Sequence, residues 1–572
     1  MQIKKLVIKN YRNLDGQKVS FADNCNFIVG ENNLGKSNLL SIFQIIFTNR
    51  AFKYEDFTDV SKPIEIGLQL KLEEIEIGHF EDLFDTDDYH LINIVCRQLT
   101  TDDNIEFYHL ETNTFIVPMV VRCINYIHYD SLRNPLSEIN FNKGRGVGRF
   151  MSNMILNYLE EKKLKDIDFV NEEKINEVLE SINAKISKIK TFNDFKINAS
   201  SENDLENLLS RIIVLKDEKG NSLDKTGYGV QFLLLITLSI LERIQSIKNQ
   251  GREKGIFEHD TDHTKYISLV IGLDEPEIHL HPYMQRSLVK YLNKIISSKN
   301  PEFQKLVKDL FDIDGFNGQI IIATHSPNIL LNDYKQIIRL YPDNGLTKIK
   351  SGTDVSLEDK HSKRLHMHFP SIKEAFFSRC VIFVEGDSEE SSFPSFAEKM
   401  SIDFDELGIS VIQSRGGEVT AIKLLMELVS NFDIPSTGIG DRDNNTTVTP
   451  PLYLTIKKDF EEELVSLIDV GRESFLNDLV KEFEGEDAVV QSNALNKYAV
   501  KSFKIITTEY TADLKLSTIP KSDTTNLKAF YLTWLSGKKS YPLGRLIGEN
   551  ITLSDIPAIY KTVILKAVEL SK

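Results

Sequence analysis

Apolar residues follow two rhythms along this chain. Short runs of β-branched and aliphatic residues stop at glycines or charges, as buried strands do, while longer stretches repeat apolar positions every three to four residues, as helices do. Residues 3–9 (IKKLVIK) alternate like an edge strand, and Phe27-Ile28-Val29 leads through a polar loop into an apolar helix reaching Phe47. Further strands are predicted at 126–129, 266–273 (YISLVIGL), 319–324 (QIIIAT) and 381–384 (VIFV), with shorter ones at 434–440 and 452–456. Helical spacing marks 151–159, 175–189 and 205–215, and a long helix runs from about 225 to 246. Strands recurring between helices predict an α/β fold.

Length and composition narrow the picture. With 572 residues the chain has room for several domains. The stretch 136–215 is too long for a loop and reads as a helical insertion, serving either oligomerisation or peripheral packing. No apolar run approaches the roughly 20 residues of a membrane span, and the start lacks a secretory apolar region. The four cysteines, Cys25, Cys96, Cys123 and Cys380, have no metal-ligand spacing and suit buried thiols in a reducing cytoplasm. A net charge of −16 excludes a protein wrapped in nucleic acid by bulk electrostatics, though not one with local basic residues and bound metals.

Phosphate chemistry is written at the first turn. Gly30-Glu31-Asn32-Asn33-Leu34-Gly35-Lys36-Ser37 is a complete G-x-x-x-x-G-K-S loop between a strand and a helix. Gly30, Asn33 and Gly35 belong to the loop that brings backbone amides to phosphates, Lys36 neutralises their charge and Ser37 offers a hydroxyl to Mg²⁺, all at a helix N-terminus. The strand at 266–273 feeds Asp274-Glu275-Pro276-Glu277, where Asp274 suits Mg²⁺ and Glu275 suits polarising water. The strand at 319–324 ends in His325, placed to reach the terminal phosphate. Arg133, after the strand at 126–129, is a weaker candidate for sensing nucleotide.

Acids end two later strands. Val381-Ile382-Phe383-Val384 stops at Glu385-Gly386, and Asp387 and Ser388 can cap a helix that carries Glu389 on its first turn. The strand at 434–440 ends in Asp441-Arg442-Asp443, whose two carboxylates share one side of an extended segment. Clustered carboxylates suit a hard divalent cation. Between these halves, the polar and basic stretch through Lys360, His361, Lys363, Arg364 and His366 reads as a hinge or a surface near DNA.

The phosphate loop, the Asp-Glu strand end and His325 occur in the order of ABC-type ATPases of the SMC/RecF class, which the chain resembles. Such heads dimerise around ATP, each lending a signature loop to its partner; Gly227, Gly229 and Gln231 form the candidate loop here, with Tyr228 where a serine usually stands. Strand-Glu-Gly followed by strand-Asp-x-Asp resembles the Toprim fold, which implies Glu385 and Asp441 as principal catalytic acids, with Glu389 and Asp443 completing metal coordination. An ABC-type head split by a helical insertion and followed by a Toprim domain resembles the OLD (overcoming lysogenisation defect) nucleases, especially the shorter class that includes the Gabija-type antiphage endonuclease.

That resemblance implies a head in two parts, 1–135 and 216–345, around the 136–215 insertion, then a linker at 346–375 and a Toprim nuclease at 376–572. It implies a later acidic metal ligand, Glu461 or else Asp459, and a catalytic lysine near the C-terminus, Lys538 or Lys539. It also implies two Mg²⁺ or Mn²⁺ ions, ATP with Mg²⁺, and phage or other foreign DNA as substrate, while the apolar helical faces of the 136–215 insertion are expected to hold a dimer or tetramer. A separately encoded helicase is a possible partner, and ATP is expected to regulate cleavage, with inhibition favoured. Two other classes stay open: a RecF-like DNA clamp without nuclease activity, and a primase-like nucleotidyl transferase.

Overall fold

The structure, a computed structural model, describes residues 1–48, 51–131, 134–139, 146–161, 172–189, 197–201, 213–249, 255–278, 280–357, 368–370, 372–415, 419–442, 447–485 and 487–572. The chain folds as two compact units, Met1–Val355 and Ser356–Lys572.

Two sheets organise the first unit. One has six antiparallel strands: β1 (Gln2–Lys9), β2 (Lys18–Ser20), β4 (Ile64–Lys71), β5 (Leu91–Gln98), β6 (Glu106–His109) and β7 (Phe115–Ile116), in the order β2-β1-β4-β5-β6-β7. The alternation of residues 3–9 predicts an edge strand, but β1 pairs with β4 on one side and with β2 on the other. The short β2 takes the edge instead, a common way to limit exposed strand pairing.

The second sheet contains β3 (Cys25–Val29), β8 (Asn125–Tyr129), β11 (Ile256–Glu258), β12 (Lys265–Asp274), β13 (Gly315–Ala323), β14 (Ile337–Asp343) and β15 (Leu346–Ser351). β8, β12, β13, β3 and β14 run parallel, so their carboxyl ends share one edge. Register aligns Asp274 with Ala323 and Ala323 with Ile28, bringing three functional loops side by side. β15 pairs antiparallel with β14, so residues 346–351 belong to this sheet, where the linker was expected to begin. Strand pairing wins there because the turn at Asn344-Gly345, both at positive φ, returns the chain on itself.

The helix Tyr228–Asn249 is a core element. Its 22 residues are long and apolar enough to cross a membrane, contrary to expectation from the runs alone, yet most of that stretch is buried within this unit. The insertion differs from the all-helical expectation too. Helices Gly146–Glu161 and Glu172–Ile186 are followed by a hairpin of β9 (Ile197–Ser201) and β10 (Ile213–Asp217). The end of the expected helix at 205–215 is therefore strand, and residues 205–212 lie outside the described residues. Val147, Phe150, Met151 and Met154 of the first helix, and Val178, Leu179, Ile182 and Ile186 of the second, are buried inside the unit. Among the described residues, these apolar positions already have partners and need no second copy to cover them.

The second unit holds four parallel strands, β16 (Cys380–Val384), β17 (Ile409–Gln413), β18 (Ser436–Gly440) and β19 (Leu452–Leu454), ordered β17-β16-β18-β19. Helices Val419–Ser430 and Ala558–Leu570 pack on the strands, and Thr524–Gly537 joins the same apolar core. Val381 to Val384 are fully buried, each contributing about 1.5–3 kcal/mol. That packing fixes the strand whose end presents Glu385. All four cysteines are buried thiols, as their apolar surroundings predict.

Candidate functional sites

The phosphate loop of the first unit joins β3 to the helix Lys36–Thr48. Gly30 sits at φ +143, and a side chain there would strike the Leu340 carbonyl oxygen at 2.3 Å. Gly35, at φ +96, is closed in by Asn13 at 2.7 Å. Both positions therefore require glycine. Lys36 is buried and donates to the carbonyls of Gly30 at 2.9 Å and Glu31 at 2.7 Å. Burial brings its pKa down to about 8, against the attraction of Glu275, Asp274 and Glu277.

Asp274 ends β12 beside Ser37. Burial pushes its carboxyl up to about 6, a hydrogen bond from Ser37 opposes the rise, and Glu275 and Asp130 add to it. One Asp274 oxygen, Oδ1, is buried without a hydrogen-bond partner. A cation held between Ser37 and Asp274 fits that orphaned oxygen. Glu275 takes a left-handed backbone, φ +47, anchored by its amide on the Ala323 carbonyl at 2.8 Å. Its Oε1 lies 3.2 Å from Nε2 of His325. Burial, then the nearby Lys36 charge, holds the His325 imidazole below its ordinary pKa despite Glu275.

Gly35, Lys36, Ser37, Asn33, Glu275 and His325 line one cavity of about 920 Å³ together with Arg12, Asn13 and Asn38. The last three escaped the motif search, although Asn10-Tyr11-Arg12-Asn13 follows β1 directly. Arg12 is held by Asp56 at 2.7 Å and by Asn38, which aims a guanidinium at the phosphate loop. Glu277 also went unassigned. Its Oε1 accepts from Thr324 Oγ1 at 2.8 Å and from the His325 amide at 2.6 Å, fixing the histidine loop to the Asp-Glu loop.

The signature candidate opens the helix Tyr228–Asn249. Gln231 is buried and donates to the carbonyls of Leu223 at 3.0 Å and Thr226 at 2.9 Å, so it braces the loop from within. Gly229 lies against Met284 and Leu280, where a side chain would meet atoms at 2.5 and 2.8 Å; its smallness serves packing. Gly227 faces open space. Arg133 lies outside the described residues.

In the second unit, register sets Phe383 opposite Gly438, and thus Glu385 level with Gly440. The Asp441 amide donates to Glu385 Oε2 at 2.8 Å. Glu389 is buried on the first turn of the helix Asp387–Lys399, as expected. Asp459 caps the helix Phe460–Val465 by accepting from the Glu462 amide at 2.9 Å, and Glu461 is buried on its first turn. Lys539 reaches over from beyond the helix Thr524–Gly537, 2.6 Å from Glu461 and 4.0 Å from Asp459.

These acids press on one another. Burial, then repulsion by Glu461, pushes Glu389 up to about 8; burial, then Glu389 and Glu385, pushes Asp441 up to about 9. Burial raises Asp459 and Glu461 as well, with Lys539 opposing. Burial alone would lower Lys539, but Glu461 and Asp459 carry it upward. Asp441 Oδ1 is buried without a hydrogen-bond partner. Among the described residues no three acids, histidines or cysteines already converge as ligands on one point. Asp443 lies outside the described residues, as does the basic stretch with Lys360, His361, Lys363, Arg364 and His366. The donor set is nevertheless what a divalent cation requires: buried oxygens, mutually repelling charges and one orphaned acceptor.

Lys538, the other lysine candidate, is turned elsewhere. It pairs with Glu484 and rests on the Phe483 and Trp534 rings at 5.6 and 5.9 Å. Tyr560, which sequence reading missed, is fully buried between Phe393, Phe396 and Phe460, with its hydroxyl unpartnered. Burial, then Glu389, holds its pKa well above the usual phenol value. It forms an apolar floor beneath the acids, a role with no sequence signature because the ring arrives from the last helix.

A phosphate-binding head followed by a sheet whose strand ends gather acids defines an ATPase joined to a TOPRIM domain. Residues 1–117 and 116–330 match the AAA ATPase domain family, and residues 376–443 match the overcoming lysogenization defect protein-like TOPRIM domain. The chain belongs to the AAA ATPase domain family, and behind that domain it carries a segment similar to the TOPRIM domain of OLD-like proteins. It is 22% identical over 284 residues to Endonuclease GajA of Bacillus cereus (strain HuB5-5), 46% of this chain and 38% of that protein. It is also 22% identical over 456 residues to Endonuclease GajA of Bacillus cereus (strain VD045), 73% of this chain and 71% of that protein. To the OLD nuclease of Thermus scotoductus it is 21% identical over 481 residues, 77% of this chain and 82% of that protein. The first alignment thus spans well under half the length of its relative.

Proposed function

We propose that this protein is a divalent-metal-dependent DNA endonuclease, regulated by nucleotide and serving defence against phage or other foreign DNA. The observation that supports it best is the group of acids at the β16 and β18 ends, Glu385, Glu389 and Asp441, with Asp459 and Glu461 beside them. Two of these carboxyls have pKa values near 8 and 9, and one buried oxygen has no partner. A fold keeps such a costly set where cations will neutralise it. Glu385, Glu389, Asp441 and Asp443 would hold one Mg²⁺ or Mn²⁺, with Asp459 and Glu461 available to a second. When bound, such ions supply an activated water and charge stabilisation at the leaving oxygen. Lys539, already among the acids, is placed to offset charge building on the phosphate.

The head reads as a regulator. Phosphodiester hydrolysis needs no energy input, so ATP must bias one arrangement of the protein over another. Tyr228 at the signature position suits slow turnover. Head pairing around ATP, and hence self-association, is part of this proposal and rests on the signature loop, since among the described residues the apolar positions of the insertion helices are already buried. A DNA clamp without nuclease activity would have no use for the buried acid set. Plasmid incubated with purified protein and Mg²⁺ or Mn²⁺ tests the reading: metal-dependent nicks support it, and a metal-independent gel shift without nicks favours the clamp.

A further inference from the structure

A nuclease site built of acids repels its own substrate, and here the whole chain is acidic. At a net charge of −16, attraction for a polyanion has to come from a local basic surface. Residues 488–508 contain three lysines, Lys497, Lys501 and Lys504, and no aspartate or glutamate. Their middle is a π-helix, Asn496–Ser502, a rare form that occurs often at functional positions. Its inner side is anchored by fully buried Leu495 and Ala499, and the Ala499 carbonyl accepts from the Ile505 amide at 2.9 Å.

The three lysines are exposed, as is Lys457. Lys497 rests on its neighbour Tyr498, 3.1 Å from the hydroxyl and 4.6 Å from the ring centre. Among the described residues, none of these four ammonium groups has a carboxylate partner. Three lysines elsewhere in this unit are neutralised instead: Lys515 pairs with Asp487, Lys528 with Asp469 and Lys538 with Glu484.

A chain of contacts ties this ridge to the acids. The Arg442 amide, next to Asp441, donates to the Lys458 carbonyl at 2.9 Å. The Lys458 ammonium donates to the Ser502 carbonyl at 3.0 Å and hydroxyl at 3.1 Å, and lies 4.5 Å from the Phe503 ring centre. Asp459 is the next residue. The loop that delivers Asp459 and Glu461 is therefore pinned to the end of the π-helix.

We propose that Lys457, Lys497, Lys501 and Lys504 form a track for the phosphodiester backbone of duplex DNA alongside the acid site. This rests on the nuclease reading and adds to it where the substrate lies. Ammonium groups without a carboxylate partner among the described residues position a duplex without reading its sequence, so binding here is sequence-independent and salt-sensitive.

The test uses the full chain carrying Glu385→Gln, in Mg²⁺, with a fluorescein-labelled duplex titrated at several salt concentrations. Lys497→Gln/Lys501→Gln/Lys504→Gln should weaken binding to duplexes of unrelated sequence alike. It should also flatten the slope of log affinity against log salt by about 3, near one per lysine. Lys457→Gln alone should flatten it by about 1. The same triple change at exposed Lys290, Lys299 and Lys305 of the first unit serves as control, and thermal melting confirms that each variant folds. Equal slopes for both triple variants and their parent overturn the track, while the nuclease reading stands if the wild-type protein still nicks plasmid. Absence of both DNA binding and nicking in wild type overturns the two together.

Discussion

In the nucleotide site, the buried cation and its anchors are neighbours in sequence: Lys36 donates to Gly30 and Glu31 of its own loop. In the acid site, Lys539 comes from the far end of the chain to meet Glu461 and Asp459, which themselves lie well beyond Glu385 and Asp441. Both sites use the same device, the carboxyl ends of parallel strands. They differ in balance. The head surrounds one lysine with phosphate-binding amides and a few acids, so it suits an anion with its counter-ion. The second unit sets buried acids near one another, with Lys539 beside Glu461 and Asp459, so its donors suit cations. Parallel strand ends thus suit opposite ligands in the two sheets, and the residues one step past each strand decide which.

The largest effect should come from removing a strand-end acid. Glu385→Ala or Asp441→Ala is expected to abolish plasmid cleavage while leaving ATP binding, read by a fluorescent nucleotide, at the wild-type level. Wild-type cleavage by either variant at high purity would end the assignment. The head should break in the complementary way. Lys36→Ala is expected to erase the response of cleavage to ATP, whereas Glu275→Gln should keep it or shift it to lower ATP. Cleavage that is equal in all three proteins across an ATP titration would show that the head does not regulate it.

A smaller effect separates the two lysines. Lys539→Ala should cost on the order of 10–100-fold in cleavage, as loss of a supporting contact at a metal site does. Lys538→Ala, which loses a pair with Glu484 away from the acids, should stay near wild type. Equal losses for both would mean that the lysine placement does not matter to the chemistry.

The smallest effect concerns pH. Glu389 and Asp441 have folded pKa values near 8 and 9, above the unfolded values near 4. Around neutral pH the folded, metal-free protein keeps protons on these acids that the unfolded chain releases. Its stability should therefore fall as pH rises from about 5 and level off once both folded groups ionise, near pH 9. Mg²⁺ or Mn²⁺ should raise the melting temperature more at pH 8 than at pH 6. Glu389→Gln should flatten the metal-free profile. A melting profile for that variant parallel to wild type would remove Glu389 from the buried acid set.

Much of this was legible in one dimension. The phosphate loop, the Asp-Glu strand end, His325, and the two acid-ended strands each sit within a few residues, because a strand, a turn and a helix start are local structures with local signals. Segment order then pointed to the fold class. Other features needed the folded chain. Only packing shows that β1 is an interior strand, since alternation reports which faces are buried and not how many neighbours a strand has. Only packing separates Lys539 from Lys538, adjacent residues whose directions depend on how the helix Thr524–Gly537 ends. Arg12, Glu277 and Tyr560 reach their sites from segments whose local pattern is that of ordinary structure. Sequence patterns record what a residue's near neighbours require; the meeting of distant segments is fixed by burial of their shared core, which belongs to no single stretch of the chain.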